Sequence, residues 1–388
     1  MPNSLKLRMH FAVVMLLMCL TTCFAGQDDS HEMDNYADAQ KREMRRKEIL
    51  RHPRSASSSE GFEYPSMLSQ FGVGLSEGLA KIRSHGKVGY INKAGKIEIP
   101  AKFAEGGMFA EGLARVRVGA SWGFIDRTGR LVIAPRFSWA CSFYEGRALV
   151  KIEKKWAFID KLGKIVIGPR FDEASSFIEG LAAVQIYDKK YKTGYIDTQG
   201  EWVLPPTFDG GSDFHQGVAI VGKDIGYKNN NMVAESYVIT RTGERLFELN
   251  SWYLSAYSEG LLVVANKEQK FGFLDLKGSL VIPYRFGYAS SFSEGLASVR
   301  VDDKWVFINK EGNVELRPEC VGSGDFSSGL APCEQTGKFG FIDRAGKFVI
   351  EPRFDWADGF IDGLATVFVA DKVGYINMKG HYVWEPTN

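Results

Sequence analysis

Trp122-Gly123-Phe124-Ile125-Asp126-Arg127-Thr128-Gly129-Arg130-Leu131-Val132-Ile133 decides the fold class. Two runs of aromatic and β-branched residues, the composition of strands, flank a polar tetrapeptide that opens with Asp126 and closes with Gly129. Asp at the first position of a type I turn and Gly at the fourth, where the chain turns left-handed, join two antiparallel strands as a hairpin. Upstream, Leu113-Ala114-Arg115-Val116-Arg117-Val118 alternates with the period of a half-buried strand. Downstream, Pro135 stops the last strand, because proline has no N–H to give to a ladder. The unit running from Phe109 to Phe137 therefore reads as three short strands.

The unit recurs. Laid out from its Glu-Gly pair, the second residue falls at Gly78, Gly112, Gly146, Gly180, Gly217, Gly260, Gly295, Gly329 and Gly363, and the steps between them are 34, 34, 34, 37, 43, 35, 34 and 34. A second ladder, Gly95, Gly129, Gly163, Gly200, Gly243, Gly278, Gly312, Gly346 and Gly380, keeps step with the first. A fixed period of this kind marks a stacked repeat array, in which each unit is too small to bury its own apolar face. The expected architecture is all-β: about nine three-stranded units of roughly 34 residues forming a β-solenoid or curved superhelix, with a propeller-like ring as the alternative. Residues 212–250 form a degenerate fifth unit that lacks the aromatic doublet and the terminal Pro-x-Phe, and residues 221–232 are expected to leave the array as an excursion.

The pieces that recur, Glu-Gly-Leu-Ala, Ile-Asp-x-x-Gly and a Trp-Gly doublet preceded by Lys, resemble those of the WG-repeat proteins, also called KWG repeats. Trp122-Gly123 is the literal dipeptide, and Val88-Gly89-Tyr90, Phe271-Gly272-Phe273 and Phe339-Gly340-Phe341 are variants of it. Lys stands before the doublet at Lys87, Lys155, Lys192, Lys270, Lys304, Lys338 and Lys372. The resemblance covers residues 66–388 and implies a bacterial β-repeat protein that works by interaction; it brings no catalytic residues with it.

Ahead of the array the chain has two further parts. Residues 1–25, with Lys6 and Arg8 before an apolar run, read as a secretory signal peptide. In a second reading Cys23 is acylated and anchors the chain to lipid. Residues 26–65 read as a charged spacer ending in the Ser-rich linker Ser55-Ala56-Ser57-Ser58-Ser59. The chain is therefore expected outside the cytoplasm, periplasmic, extracellular or attached to the outer envelope, without a membrane span in its mature form. Past the signal, Cys141, Cys320 and Cys333 remain, too few to staple a fold of this size. With 48 basic against 47 acidic residues, nothing in the overall charge signals a nucleic-acid groove.

The chemistry-bearing residues follow the repeat. Asp or Asn opens each turn (Asn92, Asp126, Asp160 and onward) as a turn cap, since each is alone there and calcium needs six to eight oxygens. The Glu before each first glycine becomes Gln216, Ser328 and Asp362 in three units, so these too are read as turn residues bonded to nearby backbone. His85, His215 and His381 show no metal or triad spacing, and neither metal nor cofactor is expected. Phe103, Phe137, Phe171, Phe208, Phe286 and Phe354 are expected to pack between units. Beside them Lys102, Arg136, Arg170, Arg285 and Arg353 form a basic row that is either a ligand surface for an anionic polymer or a solvated rim paired with Asp172 and Asp355. The function expected is non-enzymatic: an extracytoplasmic binding or scaffolding protein holding a protein, a peptide or an envelope glycan. The alternatives are a structural envelope (lipo)protein and a hydrolase with its site in the degenerate unit.

Overall fold

In a computed structural model, residues 74–388 are described apart from 229–230, 250–252, 255–256, 371 and 388. The stretches read as a signal peptide and a spacer, and Cys23 with them, lie outside the described residues. Nine four-stranded antiparallel sheets follow one another along the chain, at residues 75–103, 105–137, 139–171, 173–208, 210–249, 253–286, 288–316, 322–354 and 356–387. Each is a simple meander, and all its pairings are antiparallel, as in blade 2, where Leu113–Val118 pairs with both Glu105–Ala110 and Ser121–Asp126, and the latter with Leu131–Phe137.

Sheets stack face to face, and the stack closes on itself. Leu75, Ala80, Ile82 and Ile91 of the first sheet share a core with Leu364 and Tyr375 of the ninth. Tyr375 Oη donates to Lys81 O at 2.6 Å, across 294 residues of chain. The architecture is a nine-bladed β-propeller, and two expectations are corrected by it. The array is a ring and not an open solenoid or superhelix, because the two end sheets carry the same seam-forming faces as all the others and pack together. The unit has four strands and not three. The additional strand, the first of each blade, was hidden because in seven of the nine blades it is two residues long, such as Trp356–Ala357, which is too short to display alternation.

The seams between blades hold the core. Between blades 2 and 3, Leu113, Trp122, Phe124, Ile133 and Phe137 pack on Ala140, Phe143, Val150 and Ile159, with the Phe124 and Phe143 rings 4.9 Å apart and edge to face. Each buried large apolar side chain contributes about 2 kcal/mol. The terminal Phe103, Phe137, Phe171, Phe286 and Phe354 are buried in these seams, as their recurrence implied, and Phe208 packs against its seam while only partly buried.

The doublet glycine has a steric cause. The fourth strand folds back over the third with a register shift between Trp122 and Phe124, so a Cβ at Gly123 would lie 2.5 Å from Ile133 O and 2.8 Å from Pro135 N. Where the glycine is missing, the fourth strand changes. Blade 3 has Ala157 and places Gly168 in the crossing strand; blade 7 has Val306 and its fourth strand ends early, at Leu316. In blade 5, Tyr237 pairs directly with Glu248 without that fold-back.

Blade 5 is otherwise an ordinary member of the ring, with cores on both sides. Its extra length is taken up by a long middle hairpin, Val218–Lys228 against Asn231–Thr240. Residues 221–232, expected to leave the array, belong to this hairpin, and Val221 is buried within it. Blade 7 lacks the terminal Phe, and Cys320 stands in that place, bonded to Cys333 of blade 8 with a Cα–Cα distance of 5.4 Å. A covalent bond thus crosses the seam whose aromatic wedge is missing.

Candidate functional site

Every meander puts two kinds of turn on one end of the ring and one kind on the other. The Glu-Gly turns and the Asp-x-x-Gly turns share the first end, called here the turn face. The hairpins joining second to third strands, together with the links between blades, form the hairpin face.

On the turn face the repeated polar groups are spent on the ring itself. Glu77 and Gly78 have φ of 50° and 79°, the pair of positive values that a two-residue primed hairpin turn demands. The left-handed conformation is costly for Glu. Its carboxylate does not bond nearby backbone, as the sequence had suggested, but reaches the next blade. Gly112 N donates to Glu77, Gly146 N to Glu111, Gly180 N to Glu145, Gly217 N to Glu179, Gly295 N to Glu259 and Gly329 N to Glu294. Basic residues of the next blade add ion pairs, Lys161 with Glu111 at 3.1 Å, Lys310 with Glu259 at 3.0 Å and Arg344 with Glu294 at 3.2 Å. The turn-opening acids cap their own turns as expected: Asp126 Oδ1 accepts from Thr128 N at 2.9 Å and Arg130 N at 3.1 Å, and Asn309 and Asn377 do the same.

The basic row also has structural partners. Lys102 Nζ donates to Gly129 O at 3.3 Å, Arg136 to Gly163 O, Arg170 to Gly200 O, Arg285 to Gly312 O and Arg353 to Gly380 O, each crossing to the turn of the next blade. Each cation lies over the Phe beside it, as Arg136 does at 5.1 Å from the Phe137 centroid. The side chains remain exposed at the rim. Asp172 and Asp355 pair instead with Lys155 and Lys338, both at 2.6 Å, which gives the lysine before the doublet a role in tying the link between blades.

The hairpin face is where the blades differ. Tyr187 and Tyr191 face one another across a lengthened hairpin in blade 4, with centroids 5.1 Å apart and exposures of 60% and 52%. Beside it stands the long hairpin of blade 5. Around the ring, Trp139, Tyr288, Trp305 and Trp356 are only partly buried. Across seams Trp122 meets Trp139 at 5.4 Å, Phe271 meets Tyr288 at 5.7 Å and Phe339 meets Trp356 at 4.8 Å, while Trp305 meets Tyr288 of its own blade at 5.3 Å. The partners of the doublet aromatics leave no signal in the sequence, because they lie on the first strands. Two carboxylates, Asp213 and Asp325, follow first strands two residues after they end, and burial pushes both above the ordinary carboxylate range. Among the described residues no group of three or more His, Cys, Asp or Glu is arranged to hold a metal ion, and no helix is long and apolar enough to cross a membrane.

A ring of nine such blades with glycine-dependent doublets defines the class of protein, and the comparison with known families gives it a name. The model of the WG containing repeat matches at residues 89–120, 122–156, 156–191, 194–224, 271–305, 307–339 and 339–372, more than half of the chain. The protein belongs to the WG-repeat family. Among solved structures it is similar to a eukaryotic initiation factor, at 11% identity and TM-score 0.57 over 78% of this chain and 93% of that one. A weaker likeness, at 14% identity and TM-score 0.40 over 67% of this chain and 92% of the other, is to BamB from Moraxella catarrhalis. At these identities the likeness concerns the fold alone. Among curated proteins no sequence matches this one.

Proposed function

We propose that the chain is a non-enzymatic extracytoplasmic binding or scaffolding protein whose hairpin face holds a protein, a peptide or an envelope polymer. The observation that carries this reading is the contrast between the ends of the ring. The recurring carboxylates and cations of the turn face and rim are bonded to neighbouring blades, whereas the exposed aromatics Tyr187 and Tyr191 and the long hairpin of blade 5 break the repeat on the other face. A single-copy feature on an otherwise periodic scaffold marks a surface that the ring does not need for its own stability. Export is supported by the apolar leader at residues 1–25 and by the Cys320–Cys333 bond, which persists in an oxidising compartment.

Two measurements test the reading. Mass spectrometry of the native N-terminus should find the mature chain beginning near Gly26 or, if acylated, at Cys23; retention of residues 1–25 overturns export. Cross-linking of the mature protein in envelope extract should yield a discrete adduct. That adduct should be lost when Tyr187 and Tyr191 are replaced by Ala and 223–235 is shortened to an ordinary hairpin. An adduct pattern unchanged by those variants moves the binding surface elsewhere and favours a purely structural envelope protein.

A further inference from the structure

A charged side chain inside a seam departs from most of the repeat without any turn to cap. On the second strand, the residue at one register is Leu149, Ala183, Ile220 and Val263 in blades 3 to 6 and Ser298, Pro332 and Thr366 in blades 7 to 9, whereas blade 1 has Lys81, opposite Tyr90, and blade 2 has Arg115, opposite Phe124. The seam is shaped around it. Its guanidinium carbon lies 4.9 Å from the Trp122 centroid and 5.3 Å from that of Trp139, and Nη1 donates to Ala140 O at 2.6 Å. The stem passes over Gly107, where a Cβ would fall 2.8 Å from Arg115 Cγ and 2.9 Å from Nε. Gly106 is constrained in turn by Tyr90, whose Oη donates to Gly107 O at 2.7 Å. Gly106-Gly107, two Trp and one carbonyl thus fix the cation in a single place.

We propose that Arg115 anchors a carboxylate-binding subsite on the axial side of the seam between blades 2 and 3, near the hairpin face. Gly107 and Ala140 belong to first strands, which approach those of neighbouring blades and so converge on the axis, while Trp122 and Trp139 begin their strands at the hairpin face. Arg115 is partly exposed, and among the described residues its other nitrogens donate to no protein acceptor. Glu105 is hydrogen-bonded by Arg117 at 2.5 Å. Burial pulls the Arg115 guanidinium below its ordinary pKa, and the charge of Glu105 opposes that shift. The two indoles, with centroids 5.4 Å apart and planes tilted by 59°, flank the planar fork and leave its N–H edge for a carboxylate, the group that it bonds bidentately. Trp139, whose ring centroid is 5.3 Å from the guanidinium carbon, also has a buried Nε1 without a hydrogen-bond partner among the described residues.

This deepens the hairpin-face reading and rests on it. A carboxylate reaches such a site from a peptide or from an acidic sugar, and the test separates the two. The flanking indoles supply the readout: intrinsic fluorescence of the mature protein is titrated with an N-acetyl dipeptide as free acid and as amide, and with N-acetylmuramic acid and N-acetylglucosamine. A saturable change is expected with at least one free acid and none with the amide or the neutral sugar. Arg115→Leu, which installs the residue of blade 3, should weaken binding at least tenfold while the melting temperature holds or rises. Arg115→Lys, which keeps the charge and loses the fork, should weaken it severalfold and decides the matter if the Leu variant does not fold. Flat titrations with both acids, equal responses to acid and amide, or identical titrations in the native and Arg115→Lys proteins overturn the subsite. Loss of the cross-linked adduct on changing Tyr187 and Tyr191, together with flat titrations, would leave the binding face standing and remove the subsite alone.

Discussion

The two ends of the ring are built from the same strands and differ in what their residues are for. On the turn face, Glu111 in blade 2 accepts from Gly146 N in blade 3, and the same bond recurs where Glu259 meets Gly295 and Glu294 meets Gly329. On the hairpin face, one blade presents Tyr187 and Tyr191, the next a hairpin several residues longer, and blade 2 a short turn at Gly119. In a closed repeat, what recurs is what makes seams, and what varies is free to bind.

The sharpest way to break that comparison is to place one substitution at each end. Gly129 has φ of 80°, and a Cβ there would lie 2.8 Å from Ile99 Cγ2 of the preceding blade. Gly129→Val combines a left-handed β-branched residue with an overpacked seam and should cost about 3 kcal/mol. Gly119, with φ of 62° and nothing within 4 Å, lies on the hairpin face, and Gly119→Ala should cost about 1 kcal/mol from backbone strain alone. Urea midpoints measure both. Equal losses would mean that the turn face carries no more of the seam than the hairpin face does.

A second comparison sharpens the first. Glu111→Ala removes the acceptor for Gly146 N and the partner of Lys161, and should cost about 1 kcal/mol, whereas Glu111→Gln keeps an oxygen for Gly146 and should cost less. Tyr187→Ala, at a 60% exposed position, should change stability by no more than about 0.5 kcal/mol. A Glu111→Ala protein as stable as the native one would reduce the carboxylate ladder to a surface ornament.

How much of this was legible follows from which signals are local. The glycine ladders gave the period, and Asp126 through Gly129 gave a hairpin that the structure reproduces, because turn chemistry is written in four consecutive residues. The first strand was not legible, since Trp356–Ala357 or Gly210–Gly211 is too short to have a period. Closure was not legible either: Tyr375 meets Lys81 through backbone and packing that look no different from any other seam. The basic row was seen as a row, but its target is a glycine carbonyl in the next blade, and a carbonyl leaves no mark in a sequence. Arg115 was quoted within a strand without being singled out. The signal that would have found it is a charge at a position where the following four blades are apolar.

The smallest effect is expected where capping alone is changed. Asp126 Oδ1 accepts from Thr128 N, Thr128 Oγ1 and Arg130 N, while Oδ2 meets Arg130 Nε at 3.2 Å. These bonds, that from the Thr128 hydroxyl first, hold its carboxyl below the ordinary range. A lowered folded-state pKa means that the stabilisation is present above the ordinary carboxylate pKa and is lost as pH falls through the lowered value. Asn309 and Asn377 fill the same place with the same Oδ1 bonds, so Asp126→Asn should cost no more than about 0.5 kcal/mol at neutral pH. Because the amide does not titrate, the variant should also lose less stability than the native protein on acidification, and the two denaturation curves should draw together or cross at low pH. If Asp126→Asn instead abolished binding while leaving the fold intact, the turn face would be a ligand surface after all, and the division of labour between the two ends of the ring would have to be redrawn.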